Sequence, residues 1–362
     1  MNWTDKLIDP LAKALRDTGP WLRVEESKTG GWICLAGNPG DPAVHWHQLE
    51  ADGSLTALEP MNDKRLPNMA SACSRWIGEG YSMQLVAWRV GSRSIFRLSR
   101  NHVHCYAKIF RKDRITAERW RHLWAGSAGG LWRTPEVLDW NPKDKILIIE
   151  ECPGLSLNQQ WTSGLWLDQH LESMRQILQW LSSSEISDEL PIHTTEEEIR
   201  ILNKRLEVFH RTLREPHTEI TGLVEKVIER LAAIGDQQLV LTHRDLHDKQ
   251  ILTSWEGGNL IDLDLLARGS GALDPGNIIA HCRLRAEQGC PVPWPSIGKI
   301  LSQDAIERGI ERESLIAWTA STLARISLIY SRRKRHENLI TKMLSSLDDL
   351  LKSTGEWQGV IG

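Results

Sequence analysis

The segment LVLTHRDLHDKQILTSWEGGNLIDLD, from Leu239 to Asp264, constrains the fold of this chain more than any other stretch of its sequence. It begins with an apolar run typical of a short buried β-strand and changes abruptly to the polar cluster His243–Asp248. A second short strand is predicted at Gln250–Thr253, and a third ends on two acids, Asp262 and Asp264. The pattern therefore predicts a strand, a polar loop and a hairpin that ends in carboxylates.

Composition bounds the classes of protein to which the chain can belong. Its 362 residues are enough for two lobes with separate cores, and 41% hydrophobic and 25% charged residues are ordinary for a globular protein. A net charge of −3 argues against a nucleic-acid partner, because such proteins bind through a strongly basic surface. The most apolar run, Leu315–Tyr330, is interrupted by Arg325, so no membrane partner is expected.

The cysteines and the N-terminus together predict a location in the cell. Six scattered cysteines without a C-x-x-C pair favour free thiols in a reducing compartment over a disulfide framework or a zinc site. The N-terminus, MNWTDKLIDPLAKALRD, has an amphipathic helical pattern but lacks the apolar core of a signal peptide. We therefore expect a cytoplasmic protein, and the sequence predicts no oligomeric state.

Residues 1–75 and 76–152 are predicted to form two β-rich segments, a cap and an N-terminal lobe. In the cap, a helix at about residues 3–17 precedes three antiparallel strands, Trp32–Leu35, Val44–Leu49 and Leu55–Leu58. A polar stretch that contains prolines, Glu59–Ser71, is predicted to link the cap to the lobe. The lobe has a helix from about Arg114 to Ala125 and strands at Gln84–Val90, Ile95–Leu98, Cys105–Phe110 and Ile146–Glu150.

Residues 153–362 are predicted to form a mostly helical segment after the break at Cys152-Pro153-Gly154. Apolar residues recur at helical spacing in three stripes between residues 167 and 234, and four closing helices are predicted at about 275–288, 296–309, 311–331 and 336–352. Stripes of this regularity are core faces, so no chemistry is assigned to them. The chain is therefore predicted to be an α+β protein with its β structure in front of its helices.

Two motifs follow each other within the opening segment: His243-Arg244-Asp245-Leu246-His247-Asp248-Lys249-Gln250 and Ile261-Asp262-Leu263-Asp264. They resemble the H-x-D-x-H-x-x-N and I-D-x-[DE] motifs of the aminoglycoside phosphotransferase and choline kinase superfamily of small-molecule kinases. The resemblance covers about residues 80–285 and implies a bilobal protein-kinase-like fold, with a β-rich N-lobe, an extra N-terminal cap and a mostly helical C-lobe. The glutamine at the last position of the first motif and the cap are similar to the maltokinase and glucosamine kinase branch.

The resemblance implies a role for each polar residue of the C-lobe. Asp245 would orient the attacking hydroxyl and accept its proton, whereas His243 and His247 would support the loop. Asp262 would bind Mg²⁺, with Gln250 supplying a carbonyl oxygen where most of the family has asparagine. Asp264 is either a second metal ligand or a solvated acid at the end of the hairpin.

In the N-lobe, the resemblance implies that Lys108 contacts the α- and β-phosphates of ATP and pairs with Glu118. A turn formed by Gly91, Ser92, Arg93 and Ser94 would cover the phosphates through its backbone N–H groups and Arg93, although an ordinary hairpin turn is an alternative. The backbone from Glu150 to Cys152 matches the hinge that binds adenine. Asp274-Pro275 resembles a conserved pair in which the aspartate caps a helix and supports the catalytic loop.

The sequence departs from the family pattern at two positions. Arg244 stands where these small-molecule kinases have a small residue, and Gln250 carries one methylene more than the usual asparagine. Protein kinases have arginine at the first position, but this chain lacks their A-P-E segment. Only twelve positions separate Asp262 from Asp274, which is too few for a platform that binds a protein substrate.

The resulting hypothesis is a kinase that uses ATP and Mg²⁺ to phosphorylate a hydroxyl of a small molecule, with a sugar or aminosugar as the first candidate acceptor. An aminoglycoside or amino alcohol is the next candidate acceptor. Alternatives are a nucleotide-binding pseudokinase that serves as an interaction module, and a nucleotidyl transferase on the same fold. A hydrolase with a His/Asp metal centre is rejected, because it leaves Lys108 and the downstream acids unexplained.

Overall fold

The computed structural model describes residues 6–16, 21–27, 31–37, 45–112, 132–214, 218–235, 238–254, 257–333 and 337–361. The chain divides into two compact units. The first is Pro10–Pro153, and the second combines Met1–Asp9 with Gly154–Gly362. Within the described ranges, no helix has the length and apolar character needed to cross a membrane. The predicted domain limits at residues 75 and 152 and the predicted cytoplasmic location stay predictions.

The first unit contains the antiparallel meander predicted for the cap, with one strand more than expected. Helix α1 is Asp9–Leu15, and the strands, each paired with the next, are β1 Trp21–Glu26, β2 Trp32–Ala36, β3 His45–Leu49 and β4 Leu55–Ala57. Strand β1 was not predicted, because its two buried residues, Trp21 and Val24, are three positions apart and break the period of two. Arg23 lies over the Trp46 ring, 4.9 Å from its centroid.

A five-stranded antiparallel sheet contains the remaining strands described in the first unit, apart from the short β8, Trp132–Arg133. Its order is β5-β6-β7-β10-β9, with β5 Ser82–Arg89, β6 Arg93–Arg100, β7 Val103–Phe110, β9 Val137–Asn141 and β10 Ile146–Glu150. Helix α2, Asn68–Gly78, shares a hydrophobic core with this sheet. The predicted linker Glu59–Ser71 extends too far, because its last four residues begin this helix, whose Met69, Cys73 and Trp76 form an apolar face.

The second unit is mainly helical, as predicted. Its helices are α3 Leu157–Thr162, α4 Asp168–Ser183, α5 Thr195–Thr212, α6 Thr218–Ala233, α7 Leu273–Glu287, α8 Trp294–Glu307, α9 Arg312–Tyr330, α10 Glu337–Lys352 and α11 Trp357–Val360. Helix α9 is buried on nearly every side, so it forms the centre of this unit. Helix α7 approaches α9 so closely that a Cβ on Gly276 would lie 2.8 Å from the backbone nitrogen of Thr319.

Among the described residues, six short strands lie within the segment Leu239–Asp264 or elsewhere in the second unit. They are β11 Leu155–Ser156, β12 Ile192–His193, β13 Leu239–Thr242, β14 Ile251–Ser254, β15 Gly257–Leu260 and β16 Ala267–Ser270. Strand β16 pairs with β12 on one side and β13 on the other, while β14 and β15 form a hairpin. The predicted strand, polar loop and hairpin between Leu239 and Asp264 are thus confirmed.

Candidate active site

Asp274 fixes the backbone of the polar loop from inside the first turn of α7. Its Oδ2 accepts a hydrogen bond of 2.7 Å from the His243 N–H, and its Oδ1 accepts one of 2.9 Å from the Arg244 N–H. Burial raises the pKa of the Asp274 carboxyl, while His243 and the two N–H donors act in the opposite direction. The expected support of the loop is confirmed, but Asp274 is not the N-cap, which is Ala272.

Asp245 follows a residue held in an uncommon conformation. Arg244 has a φ of 72°, a left-handed conformation that costs a side-chain-bearing residue on the order of 1 kcal/mol. Asn277 of α7 donates from Nδ2 to the Arg244 carbonyl at 3.0 Å, so both the N–H and the C=O of Arg244 are fixed. Asp245 itself is partly accessible, and the next residue, Leu246, is fully buried. The loop therefore presents one carboxylate from a constrained backbone.

Two hydrogen bonds join the polar loop to the acids at the end of the hairpin. The His243 Nε2–H donates to the Ile261 carbonyl at 2.9 Å, and the Ile261 N–H donates to the Gln250 carbonyl at 3.0 Å. Asp262 follows in a left-handed conformation with a φ of 64°, and Asp264 is buried in the one-turn helix Leu263–Leu265. Strain at a residue with a side chain is common at functional sites.

Gln250 has the chemistry expected of a ligand for a hard cation. Its side chain is buried, and its Oε1 lacks a hydrogen-bond partner among the residues that the structure describes. A buried amide oxygen without a partner is costly unless something else binds it. With the carboxylates of Asp262 and Asp264 it would make up a donor set of oxygens alone, which is the kind that Mg²⁺ prefers. The donor chemistry of these residues therefore suits Mg²⁺, and their role as its ligands stays a prediction.

A second polar cluster contacts the loop, and it was not predicted from the sequence. The Asp248 carboxylate is buried and accepts hydrogen bonds from Arg285 of α7, the shorter one 2.8 Å from Nε to Oδ2. The His247 and His281 rings stack with their centroids 4.3 Å apart and their planes 14° from parallel. The sequence shows Asp248 as a second acid in the loop. It does not indicate that the partner of Asp248 is Arg285, 37 residues away.

The His247–Asp248–His281 cluster meets a simple distance criterion for a metal centre, since its ligand atoms lie within 4.8 Å of one another. Its geometry argues against one. An imidazole ligand binds a metal along the lone pair in its ring plane, and the lone pairs of stacked rings lie in separate, nearly parallel planes and so do not converge on one ion. Arg285 also supplies the positive charge that Asp248 needs. The rejection of a His/Asp hydrolase centre therefore agrees with this geometry.

The predicted N-lobe residues are placed as follows. Lys108 is buried on β7, opposite Leu147 of β10 and Ile95 of β6. Glu118 and the helix predicted around it lie outside the described residues. Glu150 ends β10 and accepts a hydrogen bond of 3.0 Å from Arg133, and burial raises the pKa of the Cys152 thiol to about 12. The roles predicted for these residues stay predictions.

The Gly91 turn between β5 and β6 is held by Asp63, a residue to which the sequence analysis assigned no role. Asp63 Oδ2 accepts hydrogen bonds from the Gly91 N–H at 2.7 Å and from the Trp88 indole at 3.0 Å. The Ser92 N–H donates to the Arg89 carbonyl, Arg93 opens β6, and Ser94 is fully buried. A hairpin turn with internal hydrogen bonds is therefore observed, and the predicted contact with phosphates stays a prediction.

Comparison with known proteins identifies the fold. No family model matches the sequence, and no curated protein matches it either. Among solved structures, a choline/ethanolamine kinase family protein from Mesorhizobium loti has a TM-score of 0.54 at 14% identity over 81% of this chain and 98% of its own. An aminoglycoside-3'-phosphotransferase of type VIII has a TM-score of 0.51 at 17% identity, over 70% and 97% of the two chains.

A thermostable mutant of aminoglycoside phosphotransferase APH(4)-Ia, in ternary complex with AMP-PNP and hygromycin B, is a further match. Its TM-score is 0.53 at 12% identity, over 78% of this chain and 98% of its own. These likenesses confirm the α+β kinase-like fold shared by aminoglycoside phosphotransferases and choline/ethanolamine kinases. Because the identities are low, they establish the fold and leave function to the site. The similarity to the maltokinase and glucosamine kinase branch stays a prediction.

Proposed function

We propose that this protein is an ATP- and Mg²⁺-dependent kinase that transfers the γ-phosphoryl group to a hydroxyl of a small molecule. The observation that carries the proposal is the constrained loop that presents Asp245, joined through Ile261 to Asp262 by two hydrogen bonds. Phosphoryl transfer depends on positioning and on neutralising charge, so a carboxylate and a metal site held at fixed separation match its needs. The fold, which solved small-molecule kinases share, supports the same conclusion.

In this mechanism Asp245 accepts the proton of the acceptor hydroxyl as its oxygen attacks the γ-phosphorus. A new O–P bond forms, the bond between the γ-phosphorus and the bridging oxygen breaks, and ADP leaves with that oxygen. Asp262, Gln250 and Asp264 would hold Mg²⁺, which neutralises charge on the phosphate oxygens when it is bound. Asp274 and Asn277 keep the loop in the conformation from which Asp245 acts.

The first unit would bind the nucleotide. Lys108 is the proposed contact to the α- and β-phosphates, with Glu118 as its partner, and the turn Gly91-Ser92-Arg93-Ser94 would lie over the phosphates. The backbone from Glu150 to Cys152 would pair with the adenine edge. The solved complex of aminoglycoside phosphotransferase APH(4)-Ia contains AMP-PNP, which supports nucleotide binding by this fold.

A sugar or aminosugar is the proposed acceptor, from the glutamine at position 250 and the N-terminal cap. An aminoglycoside or amino alcohol is the second candidate, and the matched aminoglycoside phosphotransferases and choline/ethanolamine kinase family protein favour it. All of these acceptors present a hydroxyl to the same carboxylate, so they share one chemistry. The pseudokinase and nucleotidyl transferase hypotheses are decided by the same experiment.

The test is ADP release by purified protein and its Asp245→Asn variant against a panel of sugars, aminosugars, aminoglycosides and amino alcohols. We expect phosphorylated product from the unaltered protein, and a loss of turnover of about 100-fold or more in the variant with nucleotide affinity retained. Asp188→Asn is a matched control, because the Asp188 side chain is fully exposed. Near-normal turnover in Asp245→Asn contradicts the proposal. No turnover with any acceptor favours a pseudokinase, and AMP on the acceptor identifies nucleotidyl transfer.

A further inference from the structure

A buried ionic network lies in the helical core of the second unit, outside the residues that the mechanism uses. Its centre is Glu198 of α5, which is 1% exposed. One carboxylate oxygen accepts a hydrogen bond of 2.5 Å from Ser321 and forms an ion pair of 3.2 Å with Arg325 Nε, both residues of α9. The other oxygen lies 3.1 Å from His193 Nε2. Two segments distant in sequence, around Glu198 and around Ser321, therefore meet at one carboxylate.

The network continues from Arg325 to the loop that carries Asp245. Arg325 Nη2 donates to Asn277 Oδ1 at 2.7 Å, and the Thr322 hydroxyl donates to the same oxygen at 2.5 Å. The amide of Asn277 is thereby oriented, and its Nδ2 donates to the Arg244 carbonyl at 3.0 Å. An unbroken series of polar contacts thus runs from Glu198 to the peptide that immediately precedes Asp245.

The negative charge of Glu198 lies close to the positive charge of Arg325 within this network. Burial by itself would raise the pKa of Glu198, but Arg325 and the hydrogen bonds from His193 and Ser321 lower it to about 2. Burial also lowers the pKa of the Arg244 guanidinium, and the negative charges of Glu198 and Glu197 oppose that effect. The carboxylate is therefore ionised at neutral pH and electrostatically coupled to both arginines.

A buried ion pair of this kind is a poor means of stabilising a core. Removing two charges from water costs several kcal/mol per ion, and apolar residues of similar volume are often as stable or more so. Such a pair does fix geometry, because each charged group must be met by its partners in one arrangement. The arrangement here ends on the one carbonyl that sets the orientation of the Arg244–Asp245 peptide.

We propose that Glu198 is a positioning residue for phosphoryl transfer, acting through Arg325 and Asn277 on the backbone of Arg244 and thereby on the direction of the Asp245 carboxylate. This inference rests on the proposed function. Glu198 lies inside a helix, 47 positions before Asp245 in the sequence, and it would help to fix the position of the catalytic carboxylate. A small displacement of a reacting group reduces turnover by up to about 100-fold, so the effect is large enough to measure.

The experiment compares Glu198→Gln, Asn277→Asp and the control Glu196→Gln. Glu196 lies in the same first turn of α5 as Glu198, and its side chain is exposed to solvent. Asn277→Asp keeps an acceptor for Arg325 and Thr322 but removes the donor to the Arg244 carbonyl. For both network variants we expect kcat to fall about 10- to 100-fold while KM for the nucleotide changes less than about twofold. The control should match the unaltered protein.

Two measurements separate positioning from a purely structural role. Thermal unfolding shows whether each variant is folded at the assay temperature, and amide hydrogen exchange across residues 243–250 reports the order of the loop directly. We expect exchange in this loop to accelerate in both network variants and to stay unchanged in the control. If folded Glu198→Gln and Asn277→Asp keep kcat within twofold of the unaltered protein, the inference is wrong. Faster loop exchange in a protein that phosphorylates no acceptor would refute the proposed function while leaving loop positioning intact.

Discussion

Two loops of this protein, one in each unit, are each held by an aspartate that accepts two hydrogen bonds. The two aspartates differ in their exposure to water. Asp63 accepts hydrogen bonds from the Gly91 N–H and the Trp88 indole, and Asp274 accepts them from the His243 and Arg244 N–H groups. Asp63 is partly exposed, whereas Asp274 is 4% exposed. A hydrogen bond to a carboxylate is stronger in a low dielectric than near water. The hydrogen bonds that hold the loop presenting Asp245 are therefore expected to be stronger than those that hold the Gly91 turn.

The difference matches the separate tasks that we propose for the two loops. A group that accepts a proton must lie within hydrogen-bond reach of one atom, and small errors in its position are costly. A turn that covers phosphates must also admit and release a nucleotide, which favours a restraint that water can compete with. The comparison therefore predicts that equivalent substitutions have unequal effects.

The largest effect is expected for Asp274→Asn. One buried oxygen then replaces two, and an NH₂ group faces an N–H donor, so the left-handed conformation of Arg244 loses part of its support. We expect a loss of about 2–3 kcal/mol in the free energy of unfolding and a fall in kcat of about 100-fold or more. Chemical denaturation and ADP release measure the two effects. Unchanged stability would contradict the idea that a buried carboxylate holds this loop.

An intermediate effect is expected when Glu198 is protonated. A pKa lowered from the ordinary value of 4.5 to about 2 means that the unfolded chain takes up this proton first as the pH falls. The stabilisation is complete above about pH 4.5 and is lost as the pH falls towards 2. Denaturation between pH 5 and 2.5 should give a shallower pH dependence in Glu198→Gln than in the unaltered protein. Identical slopes would show that Glu198 is not held ionised.

The smallest effect is expected for Asp63→Asn, the exposed counterpart of the first substitution. Water can replace part of the lost hydrogen bonding, so the free energy of unfolding should fall by only about 1 kcal/mol. If the turn covers phosphates, KM for ATP should change several-fold with kcat nearly unchanged. A loss of stability as large as that in Asp274→Asn would remove the distinction between the two loops.

The parts of this molecule that follow from local sequence were predictable. The strand, loop and hairpin between Leu239 and Asp264 depend on neighbouring residues, and the closing helices have clear apolar periods. Strand β1 and helix α2 were missed, since Arg23 and Glu25 interrupt the first and prolines precede the second. The resemblance to small-molecule kinases, rather than periodicity, led to the kinase-like fold and to the residues proposed for the site.

The network behind the loop could not have been predicted in this way. Glu198 and Arg325 lie on helices whose polar positions are normally assigned to solvent, and 127 positions separate them in the sequence. Periodicity identifies the apolar face of a helix. It does not show which of its polar residues a neighbouring helix buries. One clue was present: Arg325 interrupts the most apolar run of the chain, and a charge inside such a run needs a buried partner.

The close contact between Gly276 and the backbone at Thr319 has a consequence for the order in which the protein can be assembled on the ribosome. Helix α7 carries the two side chains that hold the loop, Asp274 and Asn277, and it packs closely on α9, which is synthesised some forty residues later. When the ribosome is translating α7, the residues around Asp245 have already been synthesised. Helix α9, on which α7 packs, has not. The loop can acquire its final conformation only after α9 has emerged, so this part of the chain matures late.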